Sequence, residues 1–192
     1  MRIKNGNNIE VLVNKTNWLS KEFVPTNLII PKVNFLPDTN SEAMFLRKES
    51  AKALEKLFKS AKKEKIELYA ASGYRSYKRQ SEIFKSNLKK DGALANKYSA
   101  RPGQSEHQTG LSIDVTCEDV KFDLIEEFEK TLAYLWLLKN AYKFGFILRY
   151  PRGKEDITGY TFEPWHLRYV GKELAEKLYI ERITLEEYYK NK

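Results

Sequence analysis

The stretch Ser105-Glu106-His107-Gln108-Thr109-Gly110-Leu111-Ser112-Ile113-Asp114-Val115-Thr116-Cys117 changes character halfway along. From Leu111 onward the residues alternate. Leu111, Ile113, Val115 and Cys117 share one face of an expected strand, and Ser112, Asp114 and Thr116 share the other. The apolar face suits a core, which turns Asp114 toward an open cleft. Seven residues upstream, His107 stands in an expected loop where Gly110 lets the backbone bend. A loop histidine and a strand aspartate can thus converge on one point. His107 is one of only two histidines in the chain. The other lies in Glu163-Pro164-Trp165-His166-Leu167-Arg168-Tyr169-Val170-Gly171, where a strand is expected from Trp165 to Val170. There His166 points with Arg168, while Trp165, Leu167 and Tyr169 pack inward. Pro164 interrupts regular strand geometry and can re-aim Glu163 toward the same cleft.

Histidine is the commonest metal ligand among side chains and titrates near neutrality. Two histidines and one aspartate leave an open coordination position, and a nearby glutamate can serve as a base, which is the make-up of a catalytic zinc site. On its own, His107 with Asp114 would read as a hydrogen-bonded histidine beside a surface acid. The second motif shifts the balance to a metal. Cys117 is the competing ligand, but strand alternation places it on the face away from Asp114. A third element, Ser72-Gly73-Tyr74-Arg75-Ser76, stands at an expected strand end, with Gln80 on the helix beyond. An arginine there can stabilise an oxyanion or hold a carboxylate by forked hydrogen bonds.

Working outward, Ile9 to Val13 is expected to form a short strand. Pro25, Pro31 and Pro37 punctuate an extended surface segment that runs to Asp38. Leu46, Ala53, Leu54, Leu57, Phe58 and Ala61 recur at helical spacing and predict a helix from Ser41 to Lys63. Ile66 to Ala71 has strand character, Tyr77 to Leu88 helical periodicity, and Asp91-Gly92 marks a turn into a polar stretch ending at Arg101-Pro102-Gly103. An apolar helix is expected from Thr131 to Phe144 with Gly145 as terminator, then a strand from Phe146 to Tyr150. Two short helices close the chain, the last started by a Thr184/Glu187 capping box. Strands and helices are mixed without regular alternation. This favours an α+β fold with a largely antiparallel sheet over a doubly wound one. The expected organisation is an extended segment, residues 1–40, packed on a domain of residues 41–192.

The 192 residues, 42% hydrophobic and 13% aromatic, are ample for one domain with a real core. No apolar run is long enough to span a membrane. Met1-Arg2-Ile3-Lys4-Asn5-Gly6-Asn7-Asn8 lacks the apolar stretch of a secretory signal. Two alternatives stay open: a chain that remains in the cytosol, or one from which a leader or anchor has been removed. The net charge of +8 suits anionic surroundings, whether nucleic acid, an acidic wall polymer or a membrane surface. The lysines are spread, however, and the short runs Lys62-Lys63-Glu64-Lys65 and Lys89-Lys90 fit solvated helix faces or turns. Without a recognition motif, no nucleic-acid partner is expected. Cys117 is the single cysteine, so there is no internal disulfide. The chain is expected to act as a monomer.

Taken together, Ser72 to Ser76, Ser105 to Asp114 and Glu163 to His166 resemble the D-alanyl-D-alanine carboxypeptidase family of zinc peptidases. That family includes the vancomycin-resistance-type D,D-carboxypeptidases and the related L,D-carboxypeptidases. The resemblance runs over roughly residues 45–190, with Arg101-Pro102-Gly103, Phe144-Gly145-Phe146 and Tyr150-Pro151 in keeping. It implies the fold shared with the Hedgehog amino-terminal domain, a central antiparallel sheet with helices outside. It also implies that His107, Asp114 and His166 bind Zn2+ and that Glu163 is the catalytic base. Arg75 would polarise the scissile carbonyl and stabilise the tetrahedral intermediate, while Ser105 and Gln80 would help hold the peptide. Tyr150 and Tyr160 are candidates to line the pocket, beside the ordinary reading of each as structural. Ser112 departs from the small apolar residue usual in the family, without touching a ligand or base position. The implied substrate is the peptidoglycan stem peptide, losing its terminal D-alanine across a D,D or an L,D bond, which places the activity outside the cytoplasm at the cell wall. An endopeptidase of the same fold and a non-catalytic wall-binding module are the alternatives; the complete ligand and base set argues against the second.

Overall fold

The computed structural model describes all 192 residues. Two short strands, β1 (Leu28–Ile29) and β2 (Leu46–Arg47), pair as a small antiparallel ribbon. The four that carry the site are β3 (Tyr69–Ser72), β4 (Ser112–Thr116), β5 (Phe146–Tyr150) and β6 (Glu163–Tyr169). They form an antiparallel sheet in the order β3-β4-β6-β5. Helices α1 (Lys48–Lys63), α2 (Tyr77–Asp91), α3 (Ala95–Tyr98), α4 (Leu132–Asn140), α5 (Glu155–Thr158), α6 (Lys172–Glu181) and α7 (Leu185–Lys190) complete an α+β fold.

The alternation along β4 decides which face is which. Ile113, Val115 and Cys117 enter one core with Ala70 of β3, Phe146 of β5 and Leu167 of β6. Helix α1 closes it with Ala51, Leu54, Leu57 and Ala61, a stripe at three- and four-residue spacing, and α4 with Ala133, Trp136 and Leu137. The opposite face carries Ser112, Asp114, His166 and Arg168, all buried as well. That polar face is therefore covered rather than openly exposed.

Local chemistry sets the helix ends. Ser76 Oγ accepts from Arg79 N at the start of α2, and Thr131 Oγ1 accepts from Tyr134 N at the start of α4. The α4 path ends in a 3-10 turn, Ala141–Phe144, and reverses at Gly145, whose φ of +86° is left-handed. Thr184 and Glu187 form the full capping box on α7.

Several sequence expectations shift. The helix predicted from Ser41 begins only at Lys48. Residues before it spend their backbone groups elsewhere: Ala43 O accepts from Gly73 N (2.6 Å), Phe45 O accepts from Tyr74 N (2.7 Å), and Arg47 N donates to Gly110 O (2.8 Å). Ile9 to Val13 is not a strand, because its carbonyls turn to a side chain: Arg168 Nη2 donates to Ile9 O (3.0 Å) and Val11 O (2.8 Å). The proline-punctuated segment does more than cross the surface. Ala70 N donates to Asn34 O and Leu36 N to Ala70 O, covering the free edge of β3. The polar stretch after Asp91 contains a 3-10 turn and α3, and Pro164 lies within β6 rather than before it.

Gly73 sits at the junction of β3 with the segment before α1. A Cβ there would lie 2.6 Å from Phe45 O and 2.9 Å from Ala43 O, two backbone atoms that are already accepting hydrogen bonds. Gly73→Ala should therefore lower stability by about 1–3 kcal/mol in a urea titration, as overpacking does; a loss below about 0.5 kcal/mol would show that the segment yields freely.

Candidate metal centre and active site

Strand register brings the first two groups together. Asp114 of β4 stands directly opposite His166 of β6 and also pairs with Ser72 of β3. His107 arrives from the 3-10 turn Glu106–Thr109, which ends at Gly110 in a left-handed conformation with φ +67°. His107 Nδ1 lies 2.7 Å from Gly73 O, so this nitrogen donates and leaves Nε2 with a free lone pair. Nε2 is 3.3 Å from Asp114 Oδ2, and His166 Nδ1 is 3.0 Å from Asp114 Oδ1. The two imidazoles stand at 89° with centroids 4.9 Å apart. One ligand atom from each of the three residues lies within 4.8 Å of the others. All three residues are buried.

Such a set suits a divalent ion bound by nitrogen and oxygen, zinc foremost. The ionisation pattern agrees. Burial pushes the Asp114 carboxyl up, yet His107 and His166 outweigh it and hold Asp114 well below the usual carboxylate range. Burial lowers His166, but the hydrogen bond to Asp114 and the neighbouring Glu106 and Glu163 raise it from 6.5 to about 9. A site that draws a proton this strongly is negative enough to draw a cation.

Glu163 Oε2 lies 3.7 Å from His166 Nδ1, on the same side of the sheet. Residues three apart in a regular strand face opposite ways. The pairing of β5 with β6 shifts register between Leu148 and Tyr150, where Tyr150 meets Glu163, and this irregularity brings the carboxylate round. Burial raises its pKa from 4.5 to about 7, opposed by His166 and assisted by Asp114. Arg75 closes the other side. Its backbone N donates to His107 O (3.2 Å), Nη2 donates to Ser72 Oγ (3.0 Å), and Nη1 donates to Gln80 Oε1 (3.0 Å). Nη2 also stands 3.9 Å from Asp114 Oδ2.

A cleft of about 210 Å³ gathers these groups with Ser105, Tyr150 and Tyr160 on its walls. Gln80 lines it too, but both ends of its amide are engaged, Nε2 donating to Ala100 O at 2.7 Å, so it braces Arg75. Cys117 is in the core, away from the triad.

Sequence reasoning passed over Glu106. It is 1% exposed; its Oε1 accepts from Arg149 Nε and Arg168 Nη1, both at 2.8 Å. Arg149 in turn forks onto Glu186 of α7 at 2.6 and 2.8 Å. The signal was present: Arg149 follows three apolar residues in β5 and Arg168 stands between Leu167 and Tyr169 in β6, and an arginine inside a buried strand needs a carboxylate.

This geometry, a buried nitrogen-oxygen triad with a carboxylate near neutrality and a braced arginine over one cleft, is that of the metal-dependent hydrolases. The sequence model described as VanY, D-alanyl-D-alanine carboxypeptidase, matches residues 43–172. The Bacillus subtilis (strain 168) protein YodJ is 48% identical over 188 residues, 97% of this chain and 69% of that one. The solved structure of the LdcB LD-carboxypeptidase superposes with a TM-score of 0.94 at 47% identity, covering 98% of this chain and 89% of that one. A mutant of the vancomycin-resistance D,D-pentapeptidase VanY in complex with Zn(II) superposes with a TM-score of 0.73 at 33% identity, covering 94% and 98%. The chain belongs to the D-alanyl-D-alanine carboxypeptidase family, and is an enzyme of carboxypeptidase type.

The raised pKa of Glu163 has a consequence for stability. Its folded-state value exceeds its unfolded one, so the folded protein binds the extra proton between about pH 4.5 and 7. Stability is fully present below that window and is lost as pH rises through it. In chelator-stripped protein, Glu163→Gln removes this loss. It should gain up to about 3 kcal/mol over the unsubstituted chain at pH 8 and nothing at pH 4, read from urea titrations at both. An equal difference at both pH values would contradict the assignment.

Proposed function

We propose that the chain is a zinc carboxypeptidase that removes the terminal D-alanine from peptidoglycan stem peptides, with His107 Nε2, an Asp114 oxygen and His166 Nδ1 as the zinc ligands. The observation that carries the reading is the convergence of these three atoms beside a carboxylate whose pKa is raised to about 7. Zinc held there supplies a Lewis acid for the scissile carbonyl and lowers the pKa of water to about 7. Glu163 takes the proton from the attacking water and returns it to the leaving amine, a transfer suited to a carboxyl poised near neutrality. Arg75, kept rigid by Ser72 and Gln80, donates to the carbonyl oxygen as negative charge develops on it. Ser105 and Tyr150 are the proposed contacts to the peptide, and the small cleft suits a residue the size of alanine.

Family membership supports a D-alanyl-D-alanine bond as substrate. The greater likeness to the LdcB LD-carboxypeptidase than to the zinc-bound VanY structure supports the L,D bond of a tetrapeptide. Of the two we favour the L,D activity. The substrate implies action at the cell wall, with residues 41–192 as the catalytic domain and residues 1–40 packed on it. No helix is long and apolar enough to cross a membrane.

Incubation with defined tetrapeptide and pentapeptide stems, followed by mass spectrometry, tests this directly. Loss of one alanine from the tetrapeptide is expected; cleavage inside the stem would identify an endopeptidase, and no cleavage by zinc-loaded protein a binding module. Glu163→Ala should retain zinc and lose nearly all turnover. Arg75→Ala should retain zinc and lose about 10²–10³ in kcat, the usual effect of removing an oxyanion donor. Normal turnover in either variant would remove that residue from the mechanism.

A further inference from the structure

We infer that Glu106 is a positioning residue for His166: in the metal-loaded site its Oε2 accepts a hydrogen bond from His166 Nε2–H and thereby presents the Nδ1 lone pair to the metal. This rests on the zinc centre proposed above and extends it to the residues behind the ligands.

The two histidines face the centre through different nitrogens. His107 turns Nε2 inward, with Nδ1 bonded to Gly73 O, whereas His166 turns Nδ1 inward, toward Asp114 and Glu163. A neutral imidazole that ligates through Nδ1 must carry its proton on Nε2. His166 is 3% exposed, and its Nε2 makes no hydrogen bond in the protein. A buried N–H needs an acceptor. Glu106 Oε2 stands 3.7 Å away, about 0.8 Å beyond the usual N–H···O length, and is the acceptor this N–H would take once the ring is drawn onto a metal.

The two oxygens of Glu106 divide their work. Oε1 already accepts from both Arg149 and Arg168. Oε2 has only Ser112 Oγ, at 3.4 Å, and keeps capacity for the imidazole. The arginines set the carboxylate's orientation, and Arg149 is itself held by the two-pronged pair with Glu186. The cluster thus has a structural end at α7 and a functional end at His166, and the two can be separated by substitution.

Glu106→Gln tests the functional end. Both arginines demand an acceptor at the Oε1 position, so the new amide must place its NH2 at the Oε2 position, facing another donor on His166. Glu186→Gln tests the structural end, since it weakens the Arg149 fork without a contact to His166. Each protein is stripped of metal and titrated with Zn2+ against a chromogenic chelator, with folding checked by circular dichroism. Zinc binding is expected to weaken about 10–100-fold in Glu106→Gln, the usual effect of losing such an outer partner, and to stay unchanged in Glu186→Gln. Nitrogen-15 spectra of the zinc-loaded chain contain only two imidazoles; they should show His107 protonated at Nδ1 and His166 at Nε2, with the Nε2–H signal displaced in Glu106→Gln.

Unchanged zinc affinity in folded Glu106→Gln, or an equal loss in Glu186→Gln, overturns the inference. If Glu106→Gln does not fold, Glu106→Asp decides the matter. It keeps the charge between the arginines while shortening the reach toward Nε2; about 10-fold weaker zinc binding supports the role, and undiminished binding ends it. Failure of the unsubstituted chain to bind zinc would remove the proposed centre and this role together, whereas tight binding there and in Glu106→Gln removes this role alone.

Discussion

Antiparallel pairing of β4 with β6 in the register that sets Asp114 opposite His166 is the constraint on which the rest depends. Side chains alternate between faces with a period of two, so a slip of one residue on either strand would send one of these groups into the apolar core. That slip is opposed by Ile113, Val115 and Leu167, which the same register packs against α1 and α4. Core burial and site assembly are therefore satisfied by one arrangement. The third group, His107, enters from a turn that cannot move independently, because Arg75 N donates to its carbonyl and Gly73 O accepts from its ring.

Electrostatics make the same region expensive without a cation. Asp114, Glu163 and Glu106 crowd around His166, and each is buried or nearly so. Buried carboxylates are tolerated only when compensated. Arg149 and Arg168 compensate Glu106, while Asp114 and Glu163 have chiefly the imidazoles and Arg75. His166 rises because these carboxylates favour its charged form, whereas Glu163 rises toward neutrality chiefly because burial disfavours its own charge, with Asp114 assisting. A divalent ion answers both.

Much of this was legible in one dimension. Of the alternating run from Leu111 to Cys117, Ser112–Thr116 forms a strand with an apolar face, the Thr184 capping box forms as read, and Gly145 reverses the chain after the α4 path. These are local rules acting over a few residues. The errors arose where distant backbone competes for hydrogen bonds. Residues 42–47 look helical by spacing, but Gly73, Tyr74 and Gly110 claim their carbonyl and amide groups. Ile9 to Val13 looks like a strand, but the guanidinium of Arg168, far along the chain, satisfies its carbonyls instead.

The sequence by itself determined the metal-binding residue types, the face on which Asp114 lies and the exclusion of Cys117 from that face, because spacing and period fix these locally. Tertiary structure alone decided which nitrogen each histidine turns inward, how Glu163 escapes strict alternation through an irregular β5–β6 pairing, and that Gln80 braces Arg75. It also decided the place of Glu106. An acid next to a histidine has no fixed meaning in a chain; Glu106 acquires one only when β5 and β6 bring two arginines to one of its oxygens and leave the other facing His166. Burial does the rest, since charges removed from water are held to whichever partners the fold supplies.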